Sequence, residues 1–283
     1  MRLFRTMAPL RPTRRLIVNA DDFGRSQSIN QAVIRAHREG ILTTTSLMVN
    51  EVGFDEAVQL AKENPKLGVG LHITTVCGKS ALPPQKIPNL VNAKGEFTNN
   101  PASAGMRYFF SPACRRQLRD EIAAQFEKFH STDLPLDHVN GHLHLHMHPA
   151  IFSILVESAE RFGIRRMRLT NDRFFLNARI ASGEWIYRIG HTIIFKFLSA
   201  WERSTFKRKK FAHTDIVFGL LQNARVDEDY VTKLLPELPS GVSELYSHPS
   251  LDEFKNEFDA LVSPKTRALV RELGIELIRY GDL

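Results

Sequence analysis

The segment Leu16-Ile-Val-Asn-Ala-Asp-Asp22, with the stretch that follows it, decides the fold class of this chain. Its apolar run predicts a buried strand that ends at the two carboxylates. Apolar side chains then recur at helical spacing over about 28–39, where a glycine ends the predicted helix. A short apolar strand followed by an amphipathic helix is the unit from which parallel sheets are built.

The same unit repeats along the rest of the chain. Helical patterns separate further strands predicted over 42–49, 67–73, the histidine-rich segment at 138–148, 165–169, 214–218, 242–247 and 275–280. Seven or eight such units predict an α/β fold with parallel strands. Because neither GxGxxG nor GxxxxGK[ST] follows the first strand, a TIM-barrel-like (β/α) barrel, complete or incomplete, is favoured over an open nucleotide-binding sheet.

Length and composition predict one main domain. The chain has 283 residues, of which 43% are hydrophobic, and this is enough for one large α/β core. We expect a single catalytic domain over 16–283, a basic N-terminal extension over 1–15, and a basic amphipathic insertion at about 173–212. The irregular stretch at 75–112 is predicted to be a functional or mobile loop.

The cysteines and the apolar runs point to a compartment. Cys77 and Cys114 lie far apart without CxxC spacing, which argues against a disulfide scaffold and a structural zinc site. A reducing cytoplasm is therefore expected. No stretch approaches the ~20 apolar residues of a spanning helix. The basic N-terminus lacks the apolar core of a signal peptide, so export is not predicted.

The net charge of +7 is concentrated in two segments. Residues 1–15 carry five Arg and no acidic residue, and residues 185–210 carry seven Lys or Arg and one Glu. The rest of the chain is therefore mildly acidic. Because the basic charge is not spread over a domain surface, no nucleic-acid partner is predicted.

Chemically active side chains lie at the predicted strand ends. Asp21 and Asp22 end the first strand, His72 ends the third, His142 ends the histidine-rich strand, and His248 ends a late one. In (β/α) barrels the active site is built at the carboxyl ends of the strands. We therefore expect these five side chains to meet at one mouth.

Five of the eleven histidines lie between residues 138 and 148. Alternate residues of a strand face the same side, so His142, His144, His146 and His148 would form one polar row opposite leucine and methionine. Only His142, at the strand end, is predicted to be a ligand. The neighbouring imidazoles are expected to line the site or to lie outside it.

This set of residues indicates metal-assisted hydrolysis. Mixed His and carboxylate ligands bind divalent cations and leave positions open, and a neighbouring carboxylate and imidazole can act as general base and general acid. Hydrolysis of an amide or an ester fits, and so does a metal-dependent phosphoesterase, for which Arg25 and Arg168 are the candidate phosphate ligands. A non-catalytic sugar- or metal-binding protein is a further alternative. Taken singly, Asp21 and Asp22 also fit a charge pair at a helix N-terminus, and His72 a buried core histidine.

The motifs resemble a known family, the YdjC-like carbohydrate deacetylases. They appear in family order and span nearly the whole chain. They are Val18-Asn-Ala-Asp-Asp-Phe-Gly24, Thr44-Thr-Ser-Leu-Met-Val-Asn50, Gly70-Leu-His-Ile-Thr74, Gly141-His-Leu-His-Leu-His146 with Pro149, and the segment from Glu244 to Pro249.

The resemblance implies a barrel-like fold related to polysaccharide deacetylases and removal of an acetyl group from an N-acetylated amino sugar. It implies Asp22, His72 and His142 as Mg²⁺ ligands, Asp21 as base and His248 as acid. Some family members have Asp where Asn140 stands here, and Asn140 is expected to weaken a carboxylate–imidazole interaction there. Two imidazoles favour Zn²⁺ or another divalent cation on affinity grounds, so the metal stays open.

The segments at 214–219 and 280–283 resemble the hopanoid-biosynthesis branch more than the chitooligosaccharide branch. That branch implies a sugar attached to a membrane lipid, such as an N-acetylglucosaminyl head group, whereas the other implies a chitooligosaccharide. Within 185–210, apolar residues recur every fourth position from Trp185 to Trp201, and Lys207-Arg-Lys-Lys210 follows. The favoured interpretation is that this stripe packs on the barrel. The alternative is peripheral contact with the inner face of a membrane. The oligomeric state is left open.

Overall fold

A parallel sheet of seven strands forms the centre of the molecule. The computed structural model describes residues 13–222 and 224–283. The strands are β1 (Arg14–Phe23), β2 (Thr44–Leu47), β3 (Gly68–Ile73), β4 (Leu136–Gly141), β5 (Ile216–Phe218), β6 (Gly241–Ser247) and β7 (Glu276–Leu277). Their spatial order is β4-β3-β2-β1-β6-β5, and β7 pairs with β1. Every pairing is parallel, as the alternation of strands and helices predicts.

The extended segment 165–171 joins the two edge strands of this sheet, β4 and β5. The Val139 N–H donates to the Arg166 carbonyl, and the Arg168 N–H donates back to Val139, both at 3.0 Å. The same segment bonds with Ala212 and, at Asn171, with Val217 of β5. The predicted α/β barrel-like fold is therefore confirmed. However, the strand predicted at 165–169 consists of isolated bridges, and the one predicted at 275–280 is only two residues long.

Ten α-helices cross over between the strands of the described chain. They are α1 (Gln27–Glu39), α2 (Phe54–Lys62), α3 (Pro101–Phe110), α4 (Pro112–His130), α5 (Pro149–Arg161), α6 (Phe174–Ile180), α7 (Trp185–Lys209), α8 (Glu228–Leu234), α9 (Lys255–Val262) and α10 (Pro264–Glu272). Ser26 caps α1 by accepting a hydrogen bond from the Ile29 N–H. Helix α3 lies within the stretch predicted to be an irregular loop.

The histidine-rich segment does not continue as a strand. Strand β4 ends at Gly141, and His142–Met147 forms 3₁₀ turns in which Leu143 and His144 have positive φ angles of 51° and 56°. The predicted row of imidazoles on one strand face is therefore wrong. The reason is pairing: neighbouring β3 ends at Ile73, opposite Gly141, so a longer strand would have no partner for its backbone groups.

The N-terminal and inserted segments have different outcomes. Of the predicted basic extension, residues 1–12 lie outside the described residues, and Arg14 already belongs to β1. The predicted insertion contains α6 and the 25-residue α7. No described helix has the length and apolar character needed to cross a membrane.

Helix α7 buries polar residues and exposes apolar ones. Its buried side chains include Arg188, Ser199 and Glu202. The apolar stripe from Trp185 to Trp201 is instead between 45% and 76% exposed. The interpretation that this stripe packs against the barrel is therefore wrong, and α7 carries an exposed apolar face.

Candidate metal centre and active site

A bulge in β1 brings two adjacent carboxylates to the same cleft. Successive strand residues normally face opposite sides of a sheet. The register of β1 against β2 shifts between Ala20 and Phe23, and Asp22 has a φ of 67°. Bulges re-aim side chains in this way. As a result, Asp21 and Asp22 both line one cavity of about 520 Å³.

Asp22, His72 and His142 form a buried cluster with the composition of a metal site. Asp22 Oδ1 lies 2.9 Å from His142 Nδ1 and 3.2 Å from His72 Nε2. One ligand atom from each residue lies within 4.8 Å of the others. Burial raises the pKa of Asp22, but the two imidazoles outweigh it and hold that pKa well below its ordinary value. The predicted convergence of these three residues is confirmed.

Asn140 fixes the orientation of His72. Its Nδ2 donates to Asp21 Oδ1 at 3.1 Å and to Ser46 Oγ at 2.9 Å, so its Oδ1 is the acceptor for His72 Nδ1–H at 2.7 Å. This leaves the Nε2 lone pair of His72 directed at the cluster, as a metal ligand requires. Asn140 therefore orients a predicted ligand through its amide oxygen, at the position where Asn was expected to weaken the interaction without removing the ligand.

Asp21 is held as a carboxylate by several donors. Asn19 Nδ2 donates to its Oδ1 at 2.8 Å, and Arg168 donates to both oxygens at 2.7 and 3.0 Å. Burial raises the pKa of Asp21, but the charges of Arg168 and then His72 outweigh this effect and hold the pKa far below its ordinary value. Asp21 is therefore ionised and fixed in direction, as a general base must be.

The contacts of Arg168 could not be predicted from the sequence. Its guanidinium is fully buried, also bonds Glu244 Oε1 at 2.6 and 2.9 Å, and lies 4.7 Å from the centre of the Tyr246 ring. Glu244 in turn accepts a hydrogen bond from Tyr280. From the sequence, Arg168 was considered only as a phosphate ligand. In the structure it is paired instead with two buried carboxylates, Asp21 and Glu244. Asp21 and Glu244 lie in the quoted motifs, but Arg168 comes from a distant segment without a motif, so the sequence does not connect these three residues.

His248 follows β6 and lines the same cleft. Its backbone N–H donates to Glu257 Oε2, and its Nδ1 lies 3.7 Å from that oxygen. Burial lowers the pKa of His248, but Glu257, and after it Asp22 and Asp21, raise the pKa to about 9. His248 is therefore protonated at neutral pH. Glu257, on α9, is a buried partner of His248 that could not be predicted from the sequence.

The other histidines of the run lie outside the cluster. His138 packs 4.3 Å from Tyr280, ring centre to ring centre, and a Cβ on Gly70 would lie 2.5 Å from its ring. His144 Nε2 lies 2.8 Å from the Tyr246 hydroxyl. Burial, with Arg168 second, lowers the pKa of His146 to about 3, so this ring is neutral. Of the described histidines in this run, His142 is the one that belongs to the cluster with Asp22 and His72.

The fold and the site define an α/β barrel-like protein with a candidate metal centre at the carboxyl ends of its strands. The chain belongs to the YdjC-like protein family, whose model matches residues 15–272.

Three known proteins illustrate the similarity. A carbohydrate deacetylase of Brevibacillus brevis is 41% identical over 150 residues, which are 53% of this chain and 57% of that protein. One of Clostridium beijerinckii is 29% identical over 276 residues, which are 95% of this chain and 100% of that protein. A crystal structure from Enterococcus faecalis V583, of a protein whose proposed role is cellobiose-phosphate cleavage, has a TM-score of 0.73. It is 22% identical and covers 95% of this chain and 98% of that one, which supports the fold.

Proposed function

We propose that this protein is a metal-dependent hydrolase that removes the N-acetyl group from an acetylated amino sugar. The observation that carries the proposal is the buried Asp22, His72 and His142 cluster, which shares one cleft with the oriented carboxylate of Asp21 and with His248. The carbohydrate deacetylases to which the chain is similar support this substrate class.

Each residue has a chemical role in this proposal. Asp22, His72 and His142 would hold a divalent cation, and the donor set of one carboxylate and two imidazoles fits such an ion. When bound, the ion supplies Lewis-acid polarisation of the amide carbonyl. Asp21 accepts the proton of the attacking water. His248, protonated because its pKa is about 9, delivers a proton to the departing amine.

The identity of the metal is a separate part of the proposal. Family resemblance points to Mg²⁺, whereas two imidazole ligands favour Zn²⁺ or Co²⁺ on affinity grounds. Only a comparison of the metals in one assay separates these alternatives.

The deciding experiment measures acetate release. N-Acetylglucosamine and N,N′-diacetylchitobiose are incubated with chelator-treated protein, with and without added Mg²⁺ or Zn²⁺. We expect acetate to appear only with a metal, and Asp21→Asn to abolish it while metal binding remains. Absence of acetate with every metal and substrate, combined with normal sugar binding, would favour a non-catalytic binding protein instead.

In the phosphoesterase alternative, the two arginines considered as phosphate ligands are already paired with carboxylates. Arg168 is fully buried between Asp21 and Glu244, and Arg25 forms an ion pair with Asp22 Oδ2 at 2.9 Å. Both guanidinium groups are therefore committed to carboxylates. Deacetylation is the function that this charge arrangement favours.

We also propose that the substrate is lipid-linked, such as a hopanoid bearing an N-acetylglucosaminyl head group. The observation that favours it over a chitooligosaccharide is the exposed apolar face of α7, with Ile193 and Phe197 at 66% and 76% exposure. Basic residues end the same helix at Lys207–Lys210. An apolar face with a basic end fits the surface of an anionic membrane.

Vesicle sedimentation tests this membrane contact. Lys207→Gln with Lys210→Gln should reduce binding to vesicles of anionic phospholipid, with little change in binding to neutral vesicles, because each charge contributes ~1 kcal/mol near such a surface. The matched control is Lys62→Gln with Lys66→Gln, two exposed lysines away from α7. Equal binding by both pairs of variants, or no binding by the wild-type protein, would contradict the membrane proposal.

A further inference from the structure

Helix α7 also contributes an aromatic wall to the catalytic cleft. Tyr187, His191 and Phe195 follow one another at every fourth residue and line the cavity. The Tyr187 and His191 rings stack with centres 3.7 Å apart, and His191 and Phe195 stack at 5.9 Å. All three side chains are half-buried, and Phe195 also contacts the His144 ring. The stacked rings therefore form one rigid surface beside the predicted metal centre.

Most polar atoms of this wall already have partners. The Tyr187 hydroxyl donates to the Leu220 carbonyl at 3.1 Å, and His191 Nδ1 donates to the Tyr187 carbonyl at 2.9 Å. Phe195 packs against an apolar cluster that includes Leu220 and Tyr246. The wall thus offers a ligand mainly carbon surface, with the Nε2 atom of His191 and the oxygen of the Tyr187 hydroxyl as its acceptors.

The cleft is lined by two kinds of surface. Asp21, Asp22 and the imidazole ligands are polar, and the acetamido group of a substrate would react there. The aromatic wall is the second kind. The apolar surface continues outward along α7, where Ile194 is 54% exposed. A substrate that matches this arrangement has a polar amino sugar at one end and an apolar group at the other.

We propose that Tyr187, His191 and Phe195 form a subsite for an apolar aglycone, the group joined through the glycosidic oxygen to the reacting amino sugar. The inference rests on the proposed deacetylase function and deepens it. A second sugar ring can stack its C–H face on these rings, but each of its hydroxyl groups that the wall covers loses water and finds few donors and acceptors in return. An alkyl group loses nothing by the same transfer and gains from burial.

The size of the effect follows from buried carbon. Each methylene removed from water contributes ~0.8 kcal/mol, which is about a fourfold gain in affinity. Hexyl N-acetyl-β-glucosaminide has five more methylenes than the methyl glycoside. If the wall buries two of them, the hexyl compound binds about fifteenfold more tightly.

The test compares methyl and hexyl glycosides on the metal-loaded protein. KM is measured for acetate release from the acetylated compounds. Calorimetry measures Kd for the corresponding free amines, which cannot react. We expect the hexyl advantage in wild-type protein to fall to threefold or less in His191→Ala and in Phe195→Ala. Phe195→Leu, which keeps apolar volume, should retain most of the advantage.

The matched control is Ile193→Ala. Ile193 lies on the same helix but about 160° around its axis from His191, on the exposed face. This variant should keep the full hexyl advantage. Thermal unfolding of every variant shows that loss of the advantage does not reflect loss of the fold.

The outcomes separate this inference from the proposed function. Acetate release with no hexyl advantage would overturn the subsite and leave the deacetylase standing. So would a preference for N,N′-diacetylchitobiose that depends on the same rings, because a sugar would then occupy the wall. Amine binding that depends on the alkyl chain and on His191, without any acetate release, would sustain the subsite and refute the deacetylase.

Discussion

Replacement of Arg168 by Met is the most informative perturbation of the site. Arg168 has no solvent exposure and donates four hydrogen bonds, of 2.6 to 3.0 Å, to Asp21 and Glu244. Met has similar bulk but leaves two buried carboxylates without their cation. Removal of one partner from a buried ion pair costs about 3–5 kcal/mol. We therefore expect the free energy of unfolding to fall by about 3–5 kcal/mol, a drop in Tm of roughly 6–15 °C.

The pH dependence of this loss identifies its cause. In wild-type protein the pKa of Asp21 lies far below its ordinary value, because the Arg168 charge outweighs burial, so the carboxylate stabilises the fold at every pH above about 4. Without Arg168, burial raises the pKa of Asp21 above its value in the unfolded chain. Protonation then relieves the unpaired charge, and the stability difference between variant and wild type should be smaller at pH 5 than at pH 8.

Urea unfolding at pH 5 and pH 8 measures both effects. Arg168→Lys is the control, since it keeps the charge but cannot form the two-oxygen contact with Asp21 while also bonding Glu244. It should lose less stability than Arg168→Met and show little pH dependence. A loss below 1 kcal/mol in Arg168→Met, or a difference that grows on acidification, would refute this account of Asp21.

Three further predictions concern the groups around the site. Asn140→Ala should weaken Zn²⁺ or Mg²⁺ binding about 10- to 100-fold, measured by calorimetric titration, because a ligand loses its orienting acceptor; unchanged affinity would contradict this role. His248 has a pKa of about 9, so kcat/KM should be lost as the pH rises through that value, and Glu257→Gln should move this limb of the profile to lower pH. If this limb stays at the same pH in Glu257→Gln, Glu257 does not raise the pKa of the group that titrates there. Gly70→Ala should destabilise the protein by about 1–3 kcal/mol in thermal unfolding, because its new Cβ would overlap the His138 ring; Tm within 1 °C of wild type would show that the ring can move.

The strand-end residues could be predicted from the sequence because parallel strands share a direction. Asp21 and Asp22 lie far along the chain from His72, His142 and His248, yet each of these residues follows or ends an apolar run. In a parallel barrel the carboxyl ends of the strands open on one mouth. The convergence of the three predicted ligands therefore required only the correct order of strands and helices.

The course of the backbone at the site was beyond the reach of periodicity. The alternation of His142, His144, His146 and His148 matches a strand, but β4 has no partner beyond Gly141 and the chain turns instead. The sequence pattern does not indicate the bulge at Asp22 either. Both features depend on where neighbouring strands end, which is a property of the assembled sheet.

Burial of charge was the other feature that local patterns missed. The residues next to Arg168 and Glu257 in the sequence do not indicate that either belongs to a site. Only the fold places them against Asp21 and His248. For helix α7, the face predicted to be buried is the exposed one. Its apolar stripe is typical of a helix that packs on a core, but Arg188 and Glu202 occupy the buried face. Amphipathic spacing identifies two faces and does not say which one the protein covers.

Metal binding and turnover, measured on the same samples, decide whether Asp22, His72 and His142 form a catalytic metal centre. Chelator-treated wild-type protein and His142→Ala are titrated with Zn²⁺ and with Mg²⁺, and acetate release from N-acetylglucosamine or its alkyl glycosides is followed in the same samples. The account predicts one bound ion per chain in wild-type protein, acetate release that rises with its occupancy, and neither in His142→Ala. His148→Ala should behave as wild type. Full activity in the metal-free protein, or an ion that binds equally well without His142, would contradict the assignment of the Asp22, His72 and His142 cluster.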